Sequence, residues 1–261
     1  MDTTVQQVQR RLIALGFPMP KFGADGDPGS ELWAATQKAL DELEALRGST
    51  AIPAPVATVP PASGQPFYMG AGVKLSDADF AALASKHGIE EAKIRAVNEV
   101  EAAGKGFTSS GAITCLYEPH IAYKYSSGAV RDALVAAGLS YKTWKAGSYP
   151  KSSYDRIDRG TAIAGAEVAA LATSWGLGQI MGFNYKACGY PTAVDMVKGF
   201  AKSEANQLEG MINFMKANPA MLAALKAGNW ADFAKLYNGA GYAANKYDTK
   251  LAAAYARHRK G

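Results

Sequence analysis

The stretch 90–104, Glu-Glu-Ala-Lys-Ile-Arg-Ala-Val-Asn-Glu-Val-Glu-Ala-Ala-Gly, holds the residue of this chain best suited to acid–base chemistry, Glu101. At helical spacing Ile94, Val97 and Glu101 share one face, while Glu99 points almost the opposite way. Glu99 is therefore expected in solvent. Glu101 is expected as a carboxylate carried into the apolar side of its helix, one turn before a glycine stop at Gly104. Burial disfavours the charged form, so such a carboxyl keeps its proton to higher pH than a free one. That property suits a general acid protonating a glycosidic oxygen. The plainer alternative is a helix-end glutamate that bends back to solvent or pairs with Arg or Lys.

Three further clusters offer complementary groups. Leu116-Tyr117-Glu118-Pro119-His120 sets a second carboxylate at the end of an expected strand. Ser174-Trp175-Gly176-Leu177-Gly178-Gln179-Ile180-Met181-Gly182-Phe183-Asn184 is a glycine-rich turn bearing Trp, Gln and Asn. Tyr237-Asn238-Gly239-Ala240-Gly241-Tyr242 is a helix end that again offers an aromatic and an amide. Aromatic faces pack on sugar C–H surfaces, and amides bond hydroxyl and acetamido groups. Beside a helix-end Glu, these loops outline a carbohydrate cleft. Trp175 reads more readily as core than as a stacking platform, and Glu118 equally well as an ion pair or a cap.

The elements that carry these clusters are mostly helical. Ser76-Asp77-Ala78-Asp79 is a capping-box start for a helix through Lys86. The Glu101 helix follows, then a loop or hairpin turn over 104–111 and a strand over 112–117. Further helices are expected over about 127–137, 153–173, 199–217, 219–227, 230–237 and 243–258. This is a mainly α, α+β pattern with a minor sheet, not an alternating βαβ one.

A boundary precedes them. Residues 48–66, Gly-Ser-Thr-Ala-Ile-Pro-Ala-Pro-Val-Ala-Thr-Val-Pro-Pro-Ala-Ser-Gly-Gln-Pro, form an uncharged Pro/Ala-rich linker that cannot bury a core. It parts a small domain, 1–47, from a large one, 67–261. The first 50 residues carry five basic and seven acidic side chains, and the remainder 23 basic and 16 acidic. A basic major domain suits a polyanionic partner such as cell-wall material, an anionic membrane surface or nucleic acid. Nucleic acid is disfavoured, because no recognition-helix, zinc-finger or RNP-type motif occurs.

Within 1–47, Val5, Val8, Leu12 and Leu15 recur at helical spacing before Gly16, and a second apolar run spans Leu32 to Leu46 after a Gly/Pro/Asp-rich loop. So small a unit has little core for elaborate chemistry. The run Val5-Gln6-Gln7-Val8-Gln9-Arg10-Arg11-Leu12-Ile13-Ala14-Leu15-Gly16-Phe17, followed by Asp25-Gly26-Asp27-Pro28-Gly29, resembles the three-helix peptidoglycan-binding domain of cell-wall hydrolases. The resemblance implies a binding module in which Asp25, Gly26 and Gly29 form the ligand loop. Pro28 and Leu32 depart from it, standing where an aromatic and a Thr are usual.

The order of the other clusters resembles the goose-type lysozyme and lytic transglycosylase superfamily, with Glu101–Gly104, Gly176-Leu177-Gly178-Gln179 and Tyr237-Asn238-Gly239 as the matching elements. It is more similar still to the N-acetylmuramidase domain of modular phage endolysins, through Tyr117-Glu118-Pro119-His120 and the Ser174–Asn184 turn. This implies a lysozyme-like, largely helical catalytic domain that hydrolyses the β-1,4 bond between N-acetylmuramic acid and N-acetylglucosamine and lyses a bacterial host. It also implies Glu101 as general acid, with Glu118 as second carboxylate or as a structural residue of the cleft floor. Gln179, Asn184, Tyr237, Asn238 and Tyr117 would hold sugars. Transglycosylation to anhydromuramic ends, or wall binding without catalysis, are the alternatives.

Other chemistries fit poorly. Cys115 and His120 have no reason to meet as a nucleophile–base pair, and His87, His120 and His258 lack metal-ligand spacing. No metal or cofactor is expected, and a monomer is. The two cysteines exclude a disulfide framework and read as buried thiols. No membrane span and no secretory leader are evident, so the protein is expected in the host cytoplasm until a separate permeabilising factor gives access to the wall. The cationic end, Arg257-His258-Arg259-Lys260, either complements its own helix dipole or helps approach an anionic outer membrane.

Overall fold

In a computed structural model the chain divides into two units, Met1–Ala57 and Thr58–Gly261. The structure describes residues 65–102, 105–144 and 152–260. The expected binding domain, with Asp25, Gly26 and Gly29, and nearly all of the linker lie outside the described residues.

The described part holds ten α-helices and one small sheet. Helix α1, Asp77–His87, starts as the sequence demands: Ser76 Oγ accepts from Asp79 N, the Asp79 carboxylate accepts from Ser76 N, and Gly88 at φ 60° ends it. Helix α2, Glu91–Glu101, inserts Ile94, Ala96 and Val97 into the core, each 0% exposed. Burying Ile94 and Val97 is worth about 1.5–3 kcal/mol each, which fixes the roll of this helix and carries Glu101 inward with them.

The sheet is antiparallel in the order β1 (Cys115–Tyr117), β2 (Thr173–Trp175), β3 (Ile180–Met181), with Cys115 opposite Trp175 and Ser174 opposite Met181. The expected strand over 112–117 is shorter than the pattern suggests. Ala112 and Ile113 instead make isolated bridges to Met69 and Phe107. After β1, helix α3 (Pro119–Lys124) is one the sequence reading missed, since six residues give no periodic signal. Pro119 fits its first turn, where an N–H would have no partner. Helix α4 is Gly128–Ala136, and α5 is Tyr154–Leu171, broken at Gly165 (φ 84°, ψ 159°). It stops short of residue 173 because Thr173–Trp175 are drawn into the sheet.

The single helix expected over 199–217 is two. Helix α6, Ala193–Phe200, ends before Ser203, whose side chain accepts from Asn206 N at 3.1 Å and opens α7, Glu204–Lys216. A serine N-cap inside an otherwise helical run is the local cause. Helix α8, Pro219–Ala227, is capped by Asn218 and ended by Gly228 at φ 72°. Helix α9 (Trp230–Asn238), a 3-10 turn (Ala240–Asn245) and α10 (Tyr247–His258) complete the unit. The core they enclose contains Trp175, Tyr117, Phe107, Phe200 and Phe233, all fully buried. Trp175 belongs to it, with Nε1 donating to the Ala170 carbonyl at 3.0 Å.

Candidate active site

Glu101 is the last residue of α2, and among the described residues its side chain takes a hydrogen bond from Asn238 alone, at the end of α9. Asn238 Nδ2 donates to Glu101 Oε1 at 2.9 Å. Burial raises the Glu101 carboxyl above the ordinary range, against a smaller lowering by the Asn238 bond and the Lys250 charge. Burial wins. The group is held proton-rich and aimed by a neutral donor, the combination a general acid needs. Next to Asn238, the Tyr237 ring stacks on Phe233 and meets Phe214 edge-on, and its buried hydroxyl has no hydrogen-bond partner among the described residues. Burial, then the neighbouring Glu101 charge, pushes that hydroxyl's pKa up.

Two α7 side chains, Glu204 and Gln207, were not anticipated from the sequence and brace the surrounding backbone. Glu204, 6% exposed, accepts from Gly106 N (2.9 Å), Leu75 N (3.1 Å) and Lys74 Nζ (2.9 Å). Gln207, 1% exposed, accepts from Leu177 N (2.9 Å) and donates to the carbonyls of Gly106 (3.3 Å) and Phe200 (3.1 Å). One helical turn thus ties the loop that follows Glu101 to the β2–β3 turn. Gly176 must stay bare for this: its φ is +71°, and a Cβ there would lie 2.7 Å from Gln207 Oε1. A Glu-x-x-Gln pair at i, i+3 on an apolar helix was the available signal.

The remaining candidates are placed less directly. Gln179 stands at φ 44°, and its amide is committed internally, accepting from Ser174 Oγ (2.9 Å) and donating to the carbonyls of Gly176 (2.8 Å) and Thr114 (3.2 Å). It locks the β2–β3 turn. Tyr117 requires correction: it is 1% exposed, buried within the core cluster, and burial lifts its hydroxyl to about 12, so its ring is unavailable to a sugar. Asn184 is half-buried in the 3-10 turn Gly182–Asn184.

Glu118 caps α3 without a side-chain cap bond and puts Oε2 3.4 Å from His120 Nδ1. That separation suits an ion pair but lacks hydrogen-bond alignment.

Glu99, expected in solvent, is 41% exposed at its side chain yet pairs with Arg257 and His258. Burial opposes its charged form, but the hydrogen bonds from Arg257 and His258 outweigh this and hold its pKa low. They fasten the cationic end of α10 to the Glu101 helix.

Cys115 and Cys188 are free, and burial pushes both thiols up to about 12. Unreactive thiols of this kind suit packing rather than nucleophilic attack. Among the described residues no cluster of three His, Cys, Asp or Glu could hold a metal, and no helix is long and apolar enough to cross a membrane.

Residues 90–259, from the start of α2 to the end of α10, match the N-acetylmuramidase family model. The chain belongs to the N-acetylmuramidase family. It is also similar to the crystal structure of the Burkholderia AP3 phage endolysin, with 37% identity and a TM-score of 0.66 over 99% of this chain and 96% of that one. No curated protein sequence matches it. The matches make this a phage endolysin with a muramidase catalytic unit, a peptidoglycan hydrolase on the mainly α, lysozyme-like fold expected from the sequence. The muramidase match takes in Glu101, Glu118, Gln179, Asn184, Tyr237 and Asn238, while α1 lies ahead of it.

Proposed function

We propose that this endolysin hydrolyses the β-1,4 bond between N-acetylmuramic acid and N-acetylglucosamine, with Glu101 as the general acid. The observation that carries the reading is a helix-end carboxyl raised by burial and oriented by Asn238. Glu101 donates its proton to the glycosidic oxygen as the bond to the muramic acid anomeric carbon breaks, and water then adds to that carbon. Asn184 and the half-buried Tyr237 contact the sugars. Gln179 acts by holding its turn in place. The pairing of Glu118 with His120 supports a structural role for it at the sheet end. The anomeric carbon is therefore met by the substrate's own acetamido oxygen, in a ring that water then opens, or by water directly, and the Glu101 carboxylate takes back the water proton.

Residues 1–47 bind peptidoglycan through Asp25, Gly26 and Gly29, and the linker gives the muramidase unit reach along the wall. Host lysis then follows once a separate factor opens the cytoplasmic membrane. A role for Arg257–Lys260 at an anionic outer membrane competes with the Glu99 pairing, which already holds Arg257 and His258.

The test is to incubate the full chain with purified peptidoglycan and count new glycan ends. Reducing muramic acid ends support the proposal. Anhydromuramic ends would make the reaction a transglycosylation, and free amino groups without new glycan ends would overturn it.

A further inference from the structure

A concavity lies at the C-terminal end of α2, next to Glu101. It is a cleft of about 320 Å³ lined by Asn98 of α2, Ala102 just beyond its end, Lys74, Leu75, Phe80, Lys105, Leu177 and Glu204. At 100° per residue, Asn98 sits about 60° around α2 from Glu101, and Ala102 directly follows that residue, so the cleft adjoins the acid.

Three chemical features coincide there. Asn98 Oδ1 is buried with no hydrogen-bond partner among the described residues, so an acceptor waits for a donor. Lys105 is exposed and has no ion pair among the described residues, whereas Lys74 is already bound to Glu204 at 2.9 Å. The Glu204 charge is further met by the Gly106 and Leu75 N–H groups, so the free charge of the cleft is the cation of Lys105. Leu75, Leu177 and Ala102 supply an apolar wall. An acceptor for an N–H, a cation for a carboxylate and an apolar surface for a methyl group describe a short acidic peptide rather than a sugar, which would call for more donors and acceptors.

We infer that this cleft binds the acidic peptide stem carried by the muramic acid residue next to Glu101, with Asn98 Oδ1 accepting a stem amide N–H and Lys105 Nζ pairing with a stem carboxylate. The inference rests on the proposed cleavage of peptidoglycan glycan. It makes the enzyme selective for glycan that still bears its stems.

The test compares kcat/KM of the full-length protein on soluble glycan strands with intact stems and on the same strands stripped by an amidase. The wild type should favour the stem-bearing strands about three- to tenfold, the scale of one partly exposed charge-assisted hydrogen bond. Lys105→Ala should collapse that ratio toward one through KM rather than kcat, and Lys105→Arg should restore it. Stripped strands retain only the lactyl carboxylate. A ratio unchanged in Lys105→Ala, or an equal loss on both strands, would overturn stem recognition while leaving glycan cleavage intact. Wild-type protein cleaving neither strand would overturn both, a signature distinct from a lost preference.

Discussion

Asn238 reaches Glu101 across 137 residues of chain, its Nδ2 donating to Oε1 at 2.9 Å. The bond joins the end of α9 to the end of α2, so the acid depends on a second helix for its aim. It also tempers the effect of burial, which alone would raise the carboxyl further.

Asn238→Ala removes a donor that favours the charged carboxylate. The Glu101 pKa should therefore rise above its wild-type value, and the alkaline limb of kcat/KM, which reports loss of the acid's proton, should move to higher pH. Loss of aim should lower the plateau about tenfold. A pH–rate profile checks both, and an alkaline limb that moves down would contradict the assignment.

Glu101 should also cost the fold stability. Its folded pKa lies above its unfolded value, so between the two the native state binds more protons and stability falls as pH rises. Above the folded pKa the penalty is complete. Glu101→Gln removes it, so this inactive variant should melt higher than wild type at pH 7, with the difference vanishing below about pH 4. Thermal melts at the two pH values make the comparison.

Glu204→Ala strips the partners from Gly106 N, Leu75 N and Lys74 Nζ together. Leaving buried N–H groups unmet costs about 1–3 kcal/mol, and the loop after Glu101 loosens with them. Urea unfolding should show a lower midpoint at an unchanged slope, with kcat falling as well. An unchanged midpoint would remove Glu204 from the brace.

Two glycines separate close packing from backbone freedom. A Cβ on Gly182 would overlap the Ala170 carbonyl oxygen, which belongs to the backbone and cannot swing away, whereas Gly72 (φ +67°) faces open space. Gly72→Ala should cost about 1–2 kcal/mol from its left-handed backbone alone. Gly182→Ala should cost more than about 3 kcal/mol. Equal costs in equilibrium unfolding would show that the contact between α5 and the Gly182–Asn184 turn yields.

The sequence is most legible where one residue face or one cap decides the outcome. Ile94 and Val97 set the roll of α2, so the inward Glu101 could be read from spacing. Ser76–Asp79 fixed a helix start in the same way. Legibility failed where distant partners decide. Glu99 is exposed, as its outward position implies, but its pairing with Arg257 and His258, more than 150 residues away, is invisible to local periodicity. Tyr117 looked like a sugar contact because motif order does not reveal whether a ring is already buried, nor that the Gln179 amide also bonds its own turn. Glu204 and Gln207 were passed over because their partners are backbone N–H and C=O groups, which every sequence contains and none displays.

The central claim is that Glu101 protonates the glycosidic oxygen. Mass spectrometry of fragments released from purified peptidoglycan by wild type and by Glu101→Gln tests it most directly. Reducing muramic acid ends from the wild type, absent from a folded Glu101→Gln protein, are the expected result. The same fragments released at an undiminished rate by the variant would contradict it.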